Sequence, residues 1–264
     1  MHEINIKWVH KKIGEKTMKN KKTLKFYIAI FIAKCASFTL KLLKRNATYM
    51  PGKIALQLCP DFLGMLEKPE TIIGVTGTNG KTTVCNMIND ILTENKYDFI
   101  NNKYGSNIDG GIATTLIQGS TMLGKAKKKL AVLEIDERSA NKIYPYITPT
   151  YLVCTNLFRD SLMRNAHTEF ICDILNKYIP KETIMIENAD DLICSHVAEQ
   201  NKKIYFSIAK LPTDTDHFEN ITRDIIACPK CNSKIEYEYV RYHHIGKAQC
   251  VNCDYKTPEA DYIL

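Results

Sequence analysis

The sequence predicts an α/β fold: a doubly wound parallel sheet that carries a phosphate-binding loop and an inserted four-cysteine zinc ribbon. Three observations lead to this prediction. Short apolar segments alternate with helix-length segments, which is typical of a parallel sheet covered on both faces. A glycine-rich loop separates the first apolar segment from the helix that follows it. Two Cys-x-x-Cys pairs lie near the C-terminus.

Length and composition are those of a globular protein, with an unevenly distributed charge. The chain has 264 residues, 45% of them hydrophobic and 25% charged, and a net charge of +7. Residues 1–53 contain thirteen Lys and Arg but only two Glu, so the rest of the chain is slightly acidic. Such a basic arm indicates either an anionic surface as partner, membrane or nucleic acid, or a solvated, partly disordered tail.

The ten cysteines indicate a reducing compartment. Four form the two Cys-x-x-Cys pairs, and six are scattered through apolar segments. This distribution favours a cytoplasmic protein with buried free thiols and one metal site over a disulfide framework.

Residues 24–43 predict an amphipathic helix. Three lysines (Lys25, Lys34 and Lys41) interrupt it, so it falls short of the ~18 uninterrupted apolar residues of a membrane-spanning helix. No convincing signal-peptide cleavage site follows. We expect this helix either to pack on its own domain or to lie on an anionic bilayer as a basic amphipathic helix. The predicted apolar stripe comprises Leu24, Ile28, Phe31, Cys35, Phe38 and Leu42.

The alternation of elements begins at residue 71. Strands are predicted from short apolar, β-branched runs, and helices from apolar residues on one side of a longer segment. The predicted strands are 71–76, 130–135, 151–155, 183–186 and 203–206, and the predicted helices are 84–93 and 168–178.

The loop after the first strand has the residue types that hold a triphosphate. Glycines let backbone N–H groups turn toward phosphates, and the N-terminus of the next helix adds its positive dipole end. Lys81 can reach the β- and γ-phosphates, and the Thr82 hydroxyl can bind Mg²⁺. The strict Walker pattern is not met, because Val75 stands where its first glycine would be. The predicted nucleotide-binding residues of the loop are Gly77, Thr78, Asn79, Gly80, Lys81, Thr82 and Thr83.

This loop resembles the ATP loop of the Mur ligase superfamily, which includes the folylpolyglutamate synthases, and later segments match the family in order. Asn107, in a glycine-rich segment, is implied to contact the nucleotide. Glu134, at the end of a strand, resembles the family's Mg²⁺-binding glutamate, a hard oxygen ligand suited to that ion. Asn188 and Asp191 resemble a motif that contacts ATP. The resemblance therefore implies Lys81 and Glu134 as catalytic residues, with Thr82 and Glu134 as magnesium ligands.

Residues 155–160 (TNLFRD) resemble the MurT branch of the superfamily. Ser161 and Met163 depart from that branch, and a histidine that helps to hold a second Mg²⁺ in most Mur ligases is absent here. Second-metal chemistry and substrate contacts in this segment are therefore open.

The two Cys-x-x-Cys pairs also point to this branch. Eighteen residues separate the pairs, a spacing typical of a tetrahedral zinc site. Four thiolates close such a site, so the predicted zinc is structural. A nucleic-acid-binding finger is the alternative, but the basic and aromatic cluster expected of one is missing. The predicted ligands are Cys228, Cys231, Cys250 and Cys253.

Composition and the resemblance together predict five segments. They are a basic, flexible arm (1–23), an amphipathic helix and lead-in (24–70), an ATP-binding domain (71–227), the ribbon (228–253) and a truncated return into the central domain (254–264). The family's C-terminal domain has no counterpart here, so we expect a fragment, a split gene product or a degenerate paralogue.

The implied function is an ATP-dependent amide-forming ligase subunit of peptidoglycan biosynthesis. Such an enzyme activates the α-carboxylate of D-Glu in the lipid II stem peptide as an acyl phosphate. Ammonia from a GatD-like glutaminase partner then attacks it, in a heterodimer that needs ATP and Mg²⁺. The alternatives are a nucleotide-binding fragment or interaction module without catalysis, and an amino-acid-adding Mur ligase or folylpolyglutamate synthase relative.

Overall fold

The computed structural model describes residues 21–158, 168–217, 225 and 227–264. Seven α-helices and nine strands lie in these ranges, with single 3₁₀ turns at Glu137–Ser139 and Cys194–His196. The helices are α1 (Leu24–Leu42), α2 (Met50–Leu58), α3 (Phe62–Met65), α4 (Lys81–Glu94), α5 (Asp109–Gln118), α6 (Ala140–Ile143) and α7 (Thr168–Tyr178). The strands are β1 (Thr71–Thr76), β2 (Phe99–Asn101), β3 (Leu130–Glu134), β4 (Tyr151–Cys154), β5 (Ile184–Asn188), β6 (Lys203–Ser207), β7 (Ile235–Tyr242), β8 (Ile245–Cys250) and β9 (Tyr262–Ile263).

Seven strands form one parallel sheet in the order β2-β3-β1-β4-β5-β6-β9. The predicted parallel α/β fold is therefore confirmed. Each predicted strand is present to within two residues at either end. The sequence reasoning missed β2 and β9, which have only three and two residues. The last strand, β9, pairs with β6 through Phe206 opposite Tyr262.

The two faces of the sheet are covered unequally. The larger core includes the buried side of α1, with α2, α5 and α7, and residues such as Leu133 and Leu152 from the central strands. On the other face, α4 packs on a smaller cluster around Val75, Val132 and Val153. Because parallel strands are buried on both faces, β1, β3 and β4 read as nearly continuous apolar runs.

Helix α1 packs on its own domain, but not through the predicted stripe. Its buried face includes Phe26 and Ile30, with Ala29, Ala33 and Ser37 between and beyond them, and it contacts α2 and α5. Small residues at these positions let the neighbouring helices approach closely. The predicted stripe faces outward instead: Leu24, Phe31 and Phe38 are 76%, 57% and 70% exposed. The helix is apolar on both sides, so periodicity alone did not identify the packed face.

No helix among the described residues is long and apolar enough to cross a lipid bilayer.

The segment with the paired cysteines folds as a two-stranded antiparallel hairpin, β7–β8, beside the large sheet. The hairpin begins at Ile235, opposite Cys250, and turns at residues 243 and 244. A small cluster around Leu192, Ala248 and Tyr255 joins the cysteine end of the hairpin to the sheet domain. The hairpin turn lies at the other end, against the segment that follows β5.

Candidate nucleotide and metal site

The loop between β1 and α4 has a backbone that only glycine accommodates at two positions. Gly77 has φ +126°, and a Cβ there would lie 2.4 Å from Thr155 Oγ1. Gly80 has φ +79° and opens α4, with nothing within 4 Å of an added Cβ. The first N–H groups of α4 have no partner within the helix, and the N-terminus of a helix after a glycine-rich loop is an arrangement that binds phosphate oxygens.

Lys81 folds back over its own loop. Its ammonium donates hydrogen bonds to the carbonyls of Gly77 and Thr78, the latter at 2.9 Å, and pairs with Glu137 Oε2 at 3.3 Å. Burial raises the pKa of Glu137 against the opposing pull of Lys81. The sequence reasoning did not identify Glu137 as a site residue, although it lies only three positions after Glu134. A charged residue just beyond a strand end was the available signal.

Glu134 lies beside the start of α4, as its predicted role requires. The Thr82 hydroxyl donates to Glu134 Oε2 at 2.9 Å, and Asn107 Nδ2 donates to Glu134 Oε1 at 3.0 Å. Asn102 fixes the backbone of Glu134 through two hydrogen bonds of 2.8 Å. A hydroxyl and a carboxylate at this distance are hard oxygen donors of the kind Mg²⁺ binds, so these residues fit the ion.

The segment after β4 supports the phosphate-binding loop. Thr78 Oγ1 donates to the carbonyl of Phe158 at 3.2 Å and accepts from its N–H at 3.1 Å. Asn79 exchanges two hydrogen bonds with the Asn156 side chain, at 2.9 and 3.1 Å, and accepts one from Thr155 Oγ1 at 2.7 Å. The predicted loop residues are thus held by residues about 77 positions later in the chain.

Asn188 and Asp191 lie next to the segment that follows β4, and their side chains make hydrogen bonds with other protein groups. Asn188 Nδ2 donates to the Thr155 carbonyl at 3.1 Å. The buried Asp191 accepts from Leu157 N at 2.7 Å and from the His244 imidazole at 2.8 Å, as well as from two backbone N–H groups of its own turn. Both residues support the segment after β4, and their direct contact with ATP remains a prediction.

The four cysteines come together in one cluster. Their sulfurs all lie within 4.8 Å of one another, with Cys228–Cys253 at 3.5 Å and Cys231–Cys250 at 3.4 Å. Sulfurs at about 2.3 Å from one tetrahedral ion lie about 3.8 Å apart. The donor set and spacing therefore fit zinc, with no place left for a substrate. Sequence spacing alone predicted this cluster.

The remaining predictions fall partly outside the described residues. Arg159, Asp160, Ser161 and Met163 lie there, as does most of the basic arm. The sequence did not predict the supporting roles of Thr155, Asn156 and His244. Thr155 and Asn156 hold the phosphate-binding loop, and His244 holds Asp191, through contacts between residues far apart in the chain.

The chain is similar to proteins of one family. Residues 75–253 match the family model of the Mur ligase middle domain. The lipid II isoglutaminyl synthase (glutamine-hydrolyzing) subunit MurT of Streptococcus pneumoniae is 35% identical over 247 residues, covering 91% of this chain and 54% of that protein. The MurT subunit of Staphylococcus aureus is 32% identical over 241 residues, covering 90% and 54%. The chain spans about half the length of these curated relatives.

Among solved structures, MurF ligase from Thermotoga maritima in complex with ADP is 21% identical, with a TM-score of 0.44. It covers 60% of this chain and 36% of that one. Escherichia coli FolC in complex with DHPP and ADP is 13% identical, with a TM-score of 0.43, covering 73% and 48%.

Proposed function

Because this chain belongs to the Mur ligase family, we propose that it is the ATP-binding part of an ATP-dependent carbon–nitrogen ligase. One observation carries the proposal. The glycine-rich loop, the Lys81 ammonium, the Thr82 hydroxyl and the Glu134 carboxylate meet at the start of α4. Triphosphate binding needs these groups together, and a chance glycine turn would not assemble them.

The proposed reaction is the amidation of the α-carboxylate of D-Glu in the lipid II stem peptide. The named activity of the MurT relatives supports this choice, as does the four-cysteine cluster inside the matched region. A carboxylate oxygen attacks the γ-phosphorus of ATP and ADP leaves, so an acyl phosphate forms. Ammonia from a glutaminase partner then attacks the acyl carbon, inorganic phosphate leaves, and the product is D-isoglutamine.

Each residue has a separate task in this proposal. The N–H groups at the start of α4 and the Lys81 ammonium would neutralise the phosphates, and the ammonium would stabilise the negative charge that develops on the transferred phosphoryl group. Thr82 and Glu134 would hold Mg²⁺, which would act as a Lewis acid toward the phosphate oxygens. Asn107 orients the Glu134 carboxylate through its 3.0 Å hydrogen bond.

The first test is ATP binding by this chain, measured by calorimetry with Mg²⁺. Lys81→Ala is expected to weaken binding by about ten- to a hundredfold, because a charge-assisted contact to phosphate contributes about 1.5–3 kcal/mol. The exposed Lys202 provides a matched control, and Lys202→Ala should bind like the unaltered chain. Equal binding by the Lys81 and Lys202 variants would refute a nucleotide role for the loop.

The second test separates ligase from non-catalytic module. Amidation of lipid II is measured with the chain, a GatD-like glutaminase subunit, ATP, Mg²⁺ and glutamine. Product that disappears with Lys81→Ala supports the ligase. ATP binding without product favours the nucleotide-binding module. Product with a free amino acid in place of glutamine favours an amino-acid-adding ligase or folylpolyglutamate synthase relative.

We further propose peripheral contact with an anionic membrane through α1. Its outward face is apolar, including Phe31 and Phe38, and Lys25 and Lys41 flank that face. No acidic residue lies within α1. A helix with exposed apolar side chains and basic flanks binds the interface of an anionic bilayer, each basic residue near the surface contributing about 1 kcal/mol. At the bilayer surface, the protein would lie close to a lipid-anchored substrate.

This contact is tested by sedimentation with vesicles that contain phosphatidylglycerol. The double change Phe31→Ser and Phe38→Ser should abolish sedimentation and leave folding unchanged, since both side chains are exposed. Met87→Ser, at an exposed apolar residue of α4, serves as control. Equal sedimentation of the double variant, or equal binding to neutral vesicles, would rule out the proposed contact.

A further inference from the structure

The turn of the ribbon hairpin reaches the residues that support the phosphate-binding loop. His244 lies in this turn and is almost fully buried, and its Nε2 is 2.8 Å from Asp191 Oδ1. The other oxygen of Asp191 accepts from Leu157 N at 2.7 Å. The backbone of the next residue, Phe158, makes two hydrogen bonds with the Thr78 hydroxyl: its N–H donates to the hydroxyl and its carbonyl accepts from it. Four hydrogen bonds therefore connect the ribbon to the loop, one at each oxygen of Asp191 and two between Phe158 and Thr78.

A second contact, between aromatic rings, also joins the hairpin turn to Phe158. The Phe158 ring stacks on the His243 ring, with centroids 5.3 Å apart and planes 13° from parallel. The Tyr242 ring contacts the Phe158 ring edge-on, with centroids 5.9 Å apart. His243 has φ +51°, so the chain turns sharply where it presents this ring. The hairpin turn thus contacts the Phe158 side chain directly and also positions the Phe158 backbone through Asp191 and Leu157.

The turn itself is fixed to the sheet domain by charge and backbone contacts. Arg241 binds Asp214 through two nitrogens, at 3.0 and 2.8 Å, and Asp190 at 3.0 Å. Gly246 N donates to the Asp190 carbonyl at 2.7 Å. The four cysteines lie at the opposite end of the same hairpin.

We propose that the turn of the ribbon hairpin braces the phosphate-binding loop, with His244 as the positioning residue that holds Asp191 and, through it, residues 157 and 158. This inference rests on the proposed nucleotide binding. Its consequence is a linkage: an ion at the cysteine end orders the hairpin, the hairpin orders the loop, and nucleotide and zinc strengthen each other's binding. Such coupling is reciprocal, because both ligands favour the same ordered state.

The test measures ADP affinity by calorimetry on zinc-loaded full chain. His244→Ala is expected to weaken ADP binding by about tenfold, within the usual range of coupling between sites. His244→Gln keeps an N–H donor for Asp191 and should restore affinity to within about twofold. Lys247→Ala, at an exposed lysine of the same hairpin, is the control and should change nothing. All four proteins should retain zinc.

A second readout separates positioning from general stability. Zinc affinity is measured by competition with a colorimetric chelator, with and without saturating ADP. In the unaltered chain ADP should raise zinc affinity, and in His244→Ala this increase should be clearly smaller. A residue that only stabilised the fold would lower stability and leave the linkage intact. That result, or equal ADP affinity of His244→Ala and the unaltered chain, would overturn the proposal.

If His244→Ala does not fold, His243→Asn decides the question. Asparagine tolerates the left-handed backbone and removes the ring that stacks on Phe158. About threefold weaker ADP binding is expected. Unchanged ADP affinity would contradict the proposal that the hairpin turn positions the phosphate-binding loop. Failure of the proposed function looks different: the unaltered chain would then not bind ADP at all.

Discussion

At the scale of single residues, the loop lysine is held by protein groups that nucleotide must replace. Lys81 lies against two loop carbonyls and the Glu137 carboxylate. Both side chains of this ion pair are only 13% exposed, so solvent screens the attraction weakly. A phosphate entering the loop would compete with Glu137 for the same ammonium and would meet its negative charge.

Glu137→Gln should therefore tighten ATP binding. We expect a gain of at least about threefold, because even exposed ion pairs contribute about 0.2–1 kcal/mol and solvent screens this pair less. Calorimetric titration measures it, with the exposed Glu70→Gln as control. Weaker binding by Glu137→Gln would mean that the carboxylate helps to hold the nucleotide or its metal.

A buried glutamate in β5 predicts a pH-dependent stability. Glu187 is fully buried and pairs with Lys203 at 2.8 Å, while its second oxygen has no hydrogen-bond partner among the described residues. Burial raises the pKa of Glu187 to about 7, against the opposing pull of Lys203. Between its ordinary pKa and about 7 the folded chain holds a proton that the unfolded chain releases.

The free energy of unfolding is therefore expected to fall as pH rises through this window, and the loss is complete above pH 7. The Glu187 contribution amounts to up to about 3 kcal/mol. Urea unfolding of the unaltered chain and of Glu187→Gln at a series of pH values isolates it, since the variant lacks this titration. Parallel profiles for the two proteins would contradict the raised pKa.

At the scale of elements, the packing of α2 on α5 depends on one missing side chain. A Cβ on Gly52 would lie 2.0 Å from the Gly110 carbonyl and 2.6 Å from Thr114 N, both of them backbone atoms. Gly52 N also donates to Thr114 Oγ1 at 2.8 Å. The two helices therefore approach too closely for any side chain at this position, and α1 packs on the pair they form.

Gly52→Ala should destabilise the fold by about 3 kcal/mol, because backbone atoms must move apart to admit the methyl group. The free energy of unfolding in urea measures the effect. Gly105→Ala is the matched control, since its Cβ would approach no atom closer than 3.4 Å. Equal stability of the two variants would show that α2 can shift without cost.

At the scale of the whole molecule, the ribbon has a core too small to hold it alone. Its buried cluster contains five residues, two of them predicted zinc ligands, whereas the sheet domain has a large core of its own. Small metal modules draw most of their folding energy from the ion. The two parts should therefore respond differently to loss of zinc.

Chelation of zinc should unfold the hairpin while the sheet stays folded. Hydrogen exchange is expected to show loss of amide protection in β7 and β8, with protection retained in β1, β3 and β4. Cys231→Ser should reproduce this pattern without chelator, and Cys35→Ser, at an exposed cysteine outside the cluster, should not. Loss of protection throughout the sheet would mean that the ribbon is integral to the main fold.

The sequence by itself determined the features that depend on neighbours along the chain. Strand, glycine loop and helix from Thr71 to Glu94 follow one another directly, and the Cys-x-x-Cys spacing prescribes two knuckles. Alternating apolar runs were enough to predict a parallel sheet, because burial of both faces leaves a local signature. Glu134 was predicted from its resemblance to the family's Mg²⁺-binding glutamate at the end of a strand, and the structure adds that this strand pairs with the one that carries the loop.

Only the tertiary structure decided which distant groups meet. Helix α1 is apolar on two sides, so its packed face depended on α2 and α5 rather than on its own period. Lys81 and Glu137 are 56 positions apart, and Asp191 and His244 are 53 apart. Contacts of this kind leave no local pattern, since an ion pair or a buried hydrogen bond constrains the position of two side chains in space and not their spacing along the chain.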